Sequence, residues 1–280
     1  MSRPFPIPVV ALGPGSQPVG EPLQYIAAPG EMSVFHPPVR REGASEAAIA
    51  GAKRLLSELV LRMERDGFHG GTRLSLVGLD QETVGQVNEM LGFGEVSAVI
   101  RTDPVVHIQE SAFAGVWRVQ SLDEHGVIAS DDVEAGPIAR AVFGALGSCA
   151  VREPRFEPAM PNLMNGPAIL RELQHAATSY RDGDDAHVVN FTLLPVTQED
   201  LEYIDAHLGR GCVTILSRGY GNCRITATAV PRVWWVQYFN SMDKLILNTI
   251  EVVTVPAVAL AGADDFTDSI ARLRQCLETV

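Results

Sequence analysis

The densest chemistry in the chain lies in five consecutive residues, Arg218-Gly219-Tyr220-Gly221-Asn222. A guanidinium offers a rigid fork of donors, a phenol a flat ring with a hydroxyl, and an amide both donors and an acceptor. Together they suit a grip on a peptide backbone or a carboxylate, while the glycines supply the positive φ of a tight turn. The competing reading is an ordinary solvated turn. Gly219-x-Gly221 is no nucleotide fingerprint, because a strand follows it instead of a helix. Downstream, Trp235, with Gln237 or Tyr238 beside it, has the character of an exposed aromatic anchor at a binding surface. If helices cover that side of the strand as well, Trp235 is core instead.

No second group of residues completes a reaction centre. His36, His69, His107, His125, His175, His187 and His207 form neither an HxH nor an HxxxH pair. No GxSxG elbow, HExxH helix or P-loop occurs. Glu199-Asp200 and Asp264-Asp265 read as helix-start carboxylates favoured by the dipole. Cys149, Cys212, Cys223 and Cys276 are scattered without a CxxC, which fits a reducing compartment and a chain with no cofactor. Cys212 and Cys223 flank the hairpin, but pairing through its tip sets Cys223 opposite about Leu216, which argues against a disulfide between them. The alternative chemistry is transient handling of a metal or iron–sulfur cluster through Cys212, Cys223 and nearby histidine. The residues themselves favour a binding protein over an enzyme.

Charge narrows the partners. A net charge of −12 and a pI near 5.0 argue against nucleic acid, which needs clustered Lys and Arg. They fit a soluble protein that stays dispersed, or one that meets a basic partner. No apolar run is long enough to span a membrane. Arg40-Arg41 leads into a polar segment and a helix, not an apolar signal region, so the expected location is the cytoplasm.

The elements that must position these residues show a repeat. Shifted by 117 residues, Gly115-Val116-Trp117-Arg118-Val119-Gln120 falls on Arg232-Val233-Trp234-Trp235-Val236-Gln237. Leu91-Gly92-x-Gly94-x-Val96 falls on Leu208-Gly209-x-Gly211-x-Val213, and Arg101 on Arg218, without a gap. Spaced Trp and Gly matches in one register predict a duplicated unit. Trp117 and Trp234 then read as core, and alternation turns Arg118 and Trp235 to the opposite face.

The predicted fold is α+β: two tandem copies of a helix–strand–helix–antiparallel β-meander unit, preceded by an extended Pro-rich arm. The arm is 1–44, with nine of the eighteen prolines. It either drapes over its own domain or docks a partner. The first repeat is 45–150, the linker 151–164 and the second repeat 165–280. Ser45 and Asp80 are predicted caps, Thr197-Gln198-Glu199-Asp200 a capping box, and Pro167 a first-turn proline. Strands are expected at Arg73–Val77 and Val188–Leu194 before each second helix, and near Val213–Ser217, Cys223–Ala229, Val233–Phe239 and Leu245–Val252 after it.

Longer motifs carry a resemblance. Leu208-Gly209-Arg210-Gly211, Ile215–Thr226, Val233–Asn240 and Leu245–Val252 resemble the HupH/HyaF hydrogenase expression/formation family. Ala11–Pro18 and the helix start Asn165–Leu170 are similar to that family too, so the likeness covers nearly the whole chain. The resemblance implies an accessory protein for maturation of membrane-bound [NiFe] uptake hydrogenases. It implies a chaperone of the iron–sulfur small-subunit precursor before twin-arginine export, working with a thioredoxin-like accessory protein. It brings no catalytic residue, and leaves Arg218, Tyr220 and Asn222 as candidate contacts.

Overall fold

The structure, a computed structural model, describes residues 45–149, 163–219 and 221–279. The Pro-rich arm, most of the linker and Tyr220 lie outside the described residues.

The first half runs α1 (Glu46–Asp66), β1 (Thr72–Ser75), α2 (Gln81–Leu91), β2 (Val96–Ile100), β3 (Val105–Glu110), β4 (Val116–Leu122), β5 (Ile128–Ala135) and α3 (Arg140–Cys149). The second runs α4 (Gly166–Ser179), β6 (His187–Asn190), α5 (Gln198–Leu208), β7 (Val213–Ser217), β8 (Asn222–Ala227), β9 (Val233–Phe239), β10 (Leu245–Val252), a 3-10 turn (Ala257–Ala259) and α6 (Ala263–Thr279). The chain is α+β, built on one ten-stranded antiparallel sheet in the order β1-β5-β4-β3-β2-β7-β8-β9-β10-β6.

Read outward from the β2–β7 seam, the strand order is the same on both sides. Adding 117 to the bounds of α2, β2, β3, β4 and β5 gives those of α5, β7, β8, β9 and β10. Local hydrogen bonds repeat as well. Across the seam Arg101 N donates to Cys212 O at 2.8 Å, and Arg218 N to Glu95 O at 3.1 Å. Trp117 Nε1 donates to Gly136 O and Trp234 Nε1 to Val253 O. Even the strained positions coincide. Gly115 and Gly126 have φ of 76°, while their counterparts Arg232 and Asp243 hold 64° and 56° with a side chain attached. Left-handed backbone costs a non-glycine residue about 1–2 kcal/mol, so something in each turn fixes it. In the second of these turns, Asn240 Oδ1 takes the N–H groups of Met242 and Lys244, as Asp123 Oδ1 takes those of His125 and Val127.

The helices follow from their caps and stripes. Ser45 caps α1 by accepting Ala48 N, and Gly67, at φ 71°, ends it. Ala48, Ala52, Leu56, Leu59 and Met63 form its buried face. At α2 the cap is Asp80 with Thr83 three residues on; at α5 the same two residue types are exchanged, Thr197 capping with Asp200. The α5 arrangement is the expected capping box.

Three clusters make the core. One sheet face carries Trp117, Ile108, Ile215, Ile225 and Trp234, with Val142 and Ala145 of α3 against it. On the other face, α1, α2 and α6 pack over β4 and β5, and α4 and α5 over β6, β9 and β10. The terminal helices do not close their own halves: α3 lies against β7, and α6 lies on α1 through Phe266 and Leu273. Phe266 takes the place where a Cβ on Gly115 would sit, so that glycine also makes room for α6.

The strands before α2 and α5 are both shorter than expected. β6 ends at Asn190 because its Oδ1 takes Thr192 N and its carbonyl takes Leu193 N and Leu194 N, which turns the chain out of the sheet. β1 stops at Ser75, whose Oγ accepts Val77 N ahead of the Gly78 turn.

Candidate functional site

The β7–β8 hairpin brings Arg218 and Asn222 together at its exposed end. Arg218 is held by its backbone, and its guanidinium has no partner among the described residues. Its counterpart Arg101 is tied down, with Nη1 donating to Thr214 Oγ1 at 3.0 Å. Gly221 takes φ 98°, which the backbone there requires of it, whereas at Gly219 only the movable end of the Glu95 carboxylate occupies the space a Cβ would need. Asn222 opens β8 opposite Phe239. Tyr220, the third candidate, lies outside the described residues.

Trp235 does not belong to this surface. It is 5% exposed, packed among Leu173, Ile204, Val233 and Ile250 under α4 and α5. Its ring lies 5.7 Å from that of Phe191, and Nε1 donates to Asn248 Oδ1 at 2.5 Å. The expectation of an exposed anchor is therefore corrected: helices cover this face too, and the indole fills it. Nor is Tyr238 beside Trp235. The period-two alternation puts it on the opposite face, half-buried and directly across from Cys223.

The Arg118 position shows how the halves differ. Arg118 is buried: Nη2 donates to Asp131 Oδ2 at 2.6 Å, Nη1 stands 2.6 Å from Oδ1 as an ion pair, and Nε donates to Asn88 Oδ1 at 2.9 Å. Adding 117, the equivalent pair is Trp235 and Asn248, joined by a neutral hydrogen bond. One half fills the site with a bidentate ion pair, the other with an indole and an amide.

On the opposite face, the cross-strand pairs Trp117↔Glu134 and Trp234↔Glu251 occupy equivalent places. Burial pushes both carboxyls above the usual range. Glu134 has relief: Oε2 accepts Arg140 N at 2.8 Å, and Arg73 of β1 stands 3.9 Å away. Glu251 contacts no donor or cation among the described residues. Sequence reasoning noted neither carboxylate as a site, although both fall in the repeat register. The edge-strand partner was hidden, because β6 is offset from β1 by 115 residues instead of 117.

The cysteine alternative fails on geometry. Cys223 lies opposite Ser217, one residue from the expected partner, while Cys212 precedes Val213 at the other end of the ladder. Five residues of strand separate the two ends by roughly 16 Å. Cys212 is disulfide-bonded, against the reading of uniformly reduced cysteines, whereas Cys223 is a free thiol. Burial pushes that thiol up to about 12, with Glu251 adding to the effect against the opposing contact of Tyr238. A neutral buried thiol is a poor metal ligand. Among the described residues no group of three His, Cys, Asp or Glu is placed to hold a metal ion. No helix among them is long and apolar enough to cross a membrane.

The fold and site define an α+β protein whose candidate contact groups lie at a hairpin tip and along a sheet edge. The model of the HupH hydrogenase expression protein, C-terminal conserved region, matches residues 49–150 and again 163–280. The chain belongs to this family of hydrogenase expression/formation proteins. It is 44% identical over 278 residues to hydrogenase expression/formation protein HoxQ of Cupriavidus necator, covering 99% of this chain and 98% of that one. Hydrogenase expression/formation protein HupH of Rhodobacter capsulatus is 44% identical over 280 residues, with the same shares covered. Hydrogenase-1 operon protein HyaF of Escherichia coli is 29% identical, covering 94% and 93%. A solved structure, hydrogenase expression protein HupH from Thiobacillus denitrificans, aligns over 41% of this chain and 97% of its own at 28% identity, with a TM-score of 0.39.

Proposed function

We propose that this protein is a non-catalytic chaperone in the maturation of a [NiFe] uptake hydrogenase. It holds the iron–sulfur small-subunit precursor in the cytoplasm before twin-arginine export and works with a thioredoxin-like accessory protein. The observation that carries this reading is the end-to-end likeness to proteins named for hydrogenase expression and formation. The acidic net charge of −12 supports a basic client segment. In this reading the halves are tandem copies of one unit, and the tip of the second has become a contact, through Arg218, Tyr220 and Asn222. The guanidinium of Arg218, which meets no partner among the described residues, supports that assignment, since a donor fork at an exposed turn is ready to bind carboxylate or backbone oxygen.

The test is affinity capture from cells making the hydrogenase. The tagged chain should recover the small-subunit precursor, and Arg218→Ala with Asn222→Ala should cut recovery at least tenfold. Failure of the unaltered chain to recover the precursor refutes the function. Full recovery by the double variant removes the tip from the binding surface.

A further inference from the structure

The two edges of the sheet are built alike but finished differently. On the first edge, β1 lies beside β5 with Arg73 opposite Glu134. Arg73 Nη2 reaches Asp132 Oδ2 at 2.6 Å and Nε lies 3.9 Å from Glu134, so an edge-strand guanidinium neutralises two buried carboxylates. On the second edge, β6 lies beside β10 with Val188 opposite Glu251. The carboxylate is retained but the arginine is not: Val188 stands where Arg73 stands, and Thr249 where Asp132 stands.

The backbone of β6 is also open. Phe191 N donates to Asn248 O, so alternation along the antiparallel pair directs the N–H and C=O of Val189 and His187 toward β10. Those of Val188 then point outward. No strand among the described residues pairs with this outer edge. Val188 is 50% exposed, so the sheet face leading from the edge to Glu251 is accessible. The loop entering β6 carries exposed Asp182, Asp184 and Asp185, which favours basic flanking residues.

We propose that the outer edge of β6 receives an extended segment of a client polypeptide, one of whose arginines crosses Val188 to pair with Glu251. Main-chain hydrogen bonds to Val188 supply the strand addition. The added strand lies about 10 Å from β10, two strand spacings, which a long arginine stem spans while packing on the valine. The guanidinium does for Glu251 what Arg73 does for Glu134. The occupant follows from charge complementarity and from the chain's own first edge, and the site deepens the chaperone reading, on which it rests.

The test uses the full chain and two eight-residue peptides of alternating threonine and valine, one with a central arginine and its twin with citrulline. Fluorescence anisotropy should show the arginine peptide binding at least tenfold tighter. Glu251→Gln should erase that ratio, and so should Val188→Arg, which supplies the guanidinium from within. Equal binding of the two peptides by the unaltered chain overturns the proposal, as does a tenfold ratio that persists in either variant. A ratio that emerges only after removal of residues 1–44 also overturns it, since the chain's own arm would then be the occupant. In cells, precursor capture by the unaltered chain and equally by both variants refutes this site alone. Loss of capture by the unaltered chain refutes the chaperone reading instead.

Discussion

Asp200→Asn should destabilise the protein more than a single exposed cap would. The Asp200 carboxylate is fully buried and accepts Met164 N at 2.9 Å, Asn165 N at 3.1 Å, Gly166 N at 2.8 Å and Thr197 N at 3.0 Å. It therefore joins the start of α4 to the start of α5. Asparagine keeps one acceptor oxygen, loses the charge and turns an NH2 group toward N–H donors. Losing a charged acceptor costs about 1.5–3 kcal/mol, and loss of a helix cap about 1 kcal/mol. A total of about 3 kcal/mol lowers Tm by roughly 6–12 °C, at about 2–4 °C per kcal/mol for a large domain. The pH dependence adds a second check. Burial alone would raise this carboxyl, but the N–H donors outweigh it and hold it below the usual range. A depressed carboxyl stabilises the fold above its unfolded value of about 4 and ceases to do so as pH falls through its folded value. Thermal unfolding of both proteins from pH 7 downward should therefore show the gap narrowing in acid. A gap below about 0.5 kcal/mol at pH 7, within the range of ordinary surface substitutions, or one that widens in acid, would refute the assignment.

Three further outcomes are expected. Trp235→Phe removes the N–H bonded to Asn248 and should lower stability by about 1–3 kcal/mol in urea unfolding while leaving precursor capture intact. Asp243→Gly relieves the left-handed backbone at φ 56° and should stabilise by up to about 1 kcal/mol, read as a higher urea midpoint. Glu251→Gln should stabilise at pH 8 and not at pH 4. Burial raises this carboxyl, so its favourable protonated state is complete below the unfolded value and lost as pH rises through the folded one. Equal urea midpoints at pH 8 would remove the claim that Glu251 is an uncompensated charge.

Periodicity and turn chemistry made much of this fold legible. The caps Ser45, Asp80 and Thr197 are local signals, and each is where the sequence places it. Trp117 and Trp234 hold the same position in strands of equal length, and both are core. Trp235 was ambiguous for a physical reason. Strand alternation gives the face of a residue but not what covers that face, and the covering helices α4 and α5 come from elsewhere in the chain. Tyr238 was misplaced by proximity in sequence, where the same alternation already separates it from Trp235. The exchange of α3 and α6 between the halves had no local signal at all, because helix docking is a tertiary choice. The Glu251 site was hidden by the offset of β6, which only the register across β10 reveals.

Where two halves match in strand bounds, register and turns, their differences separate what the fold requires from what it does not. The first half shows that this backbone holds together with Arg101 tied to Thr214 and with Glu134 beside Arg73. The second folds the same way while leaving Arg218 and Glu251 without those partners. Neither omission is needed to form a strand or a turn, and a half-buried carboxylate that meets no cation among the described residues works against stability. A group kept in an unfavourable state that its twin avoids is explained if an outside ligand completes it. The two groups left so have opposite sign, an exposed cation at the hairpin tip and a half-buried anion beside the β6 edge. A single client meeting both would present acceptors to the first and a guanidinium to the second.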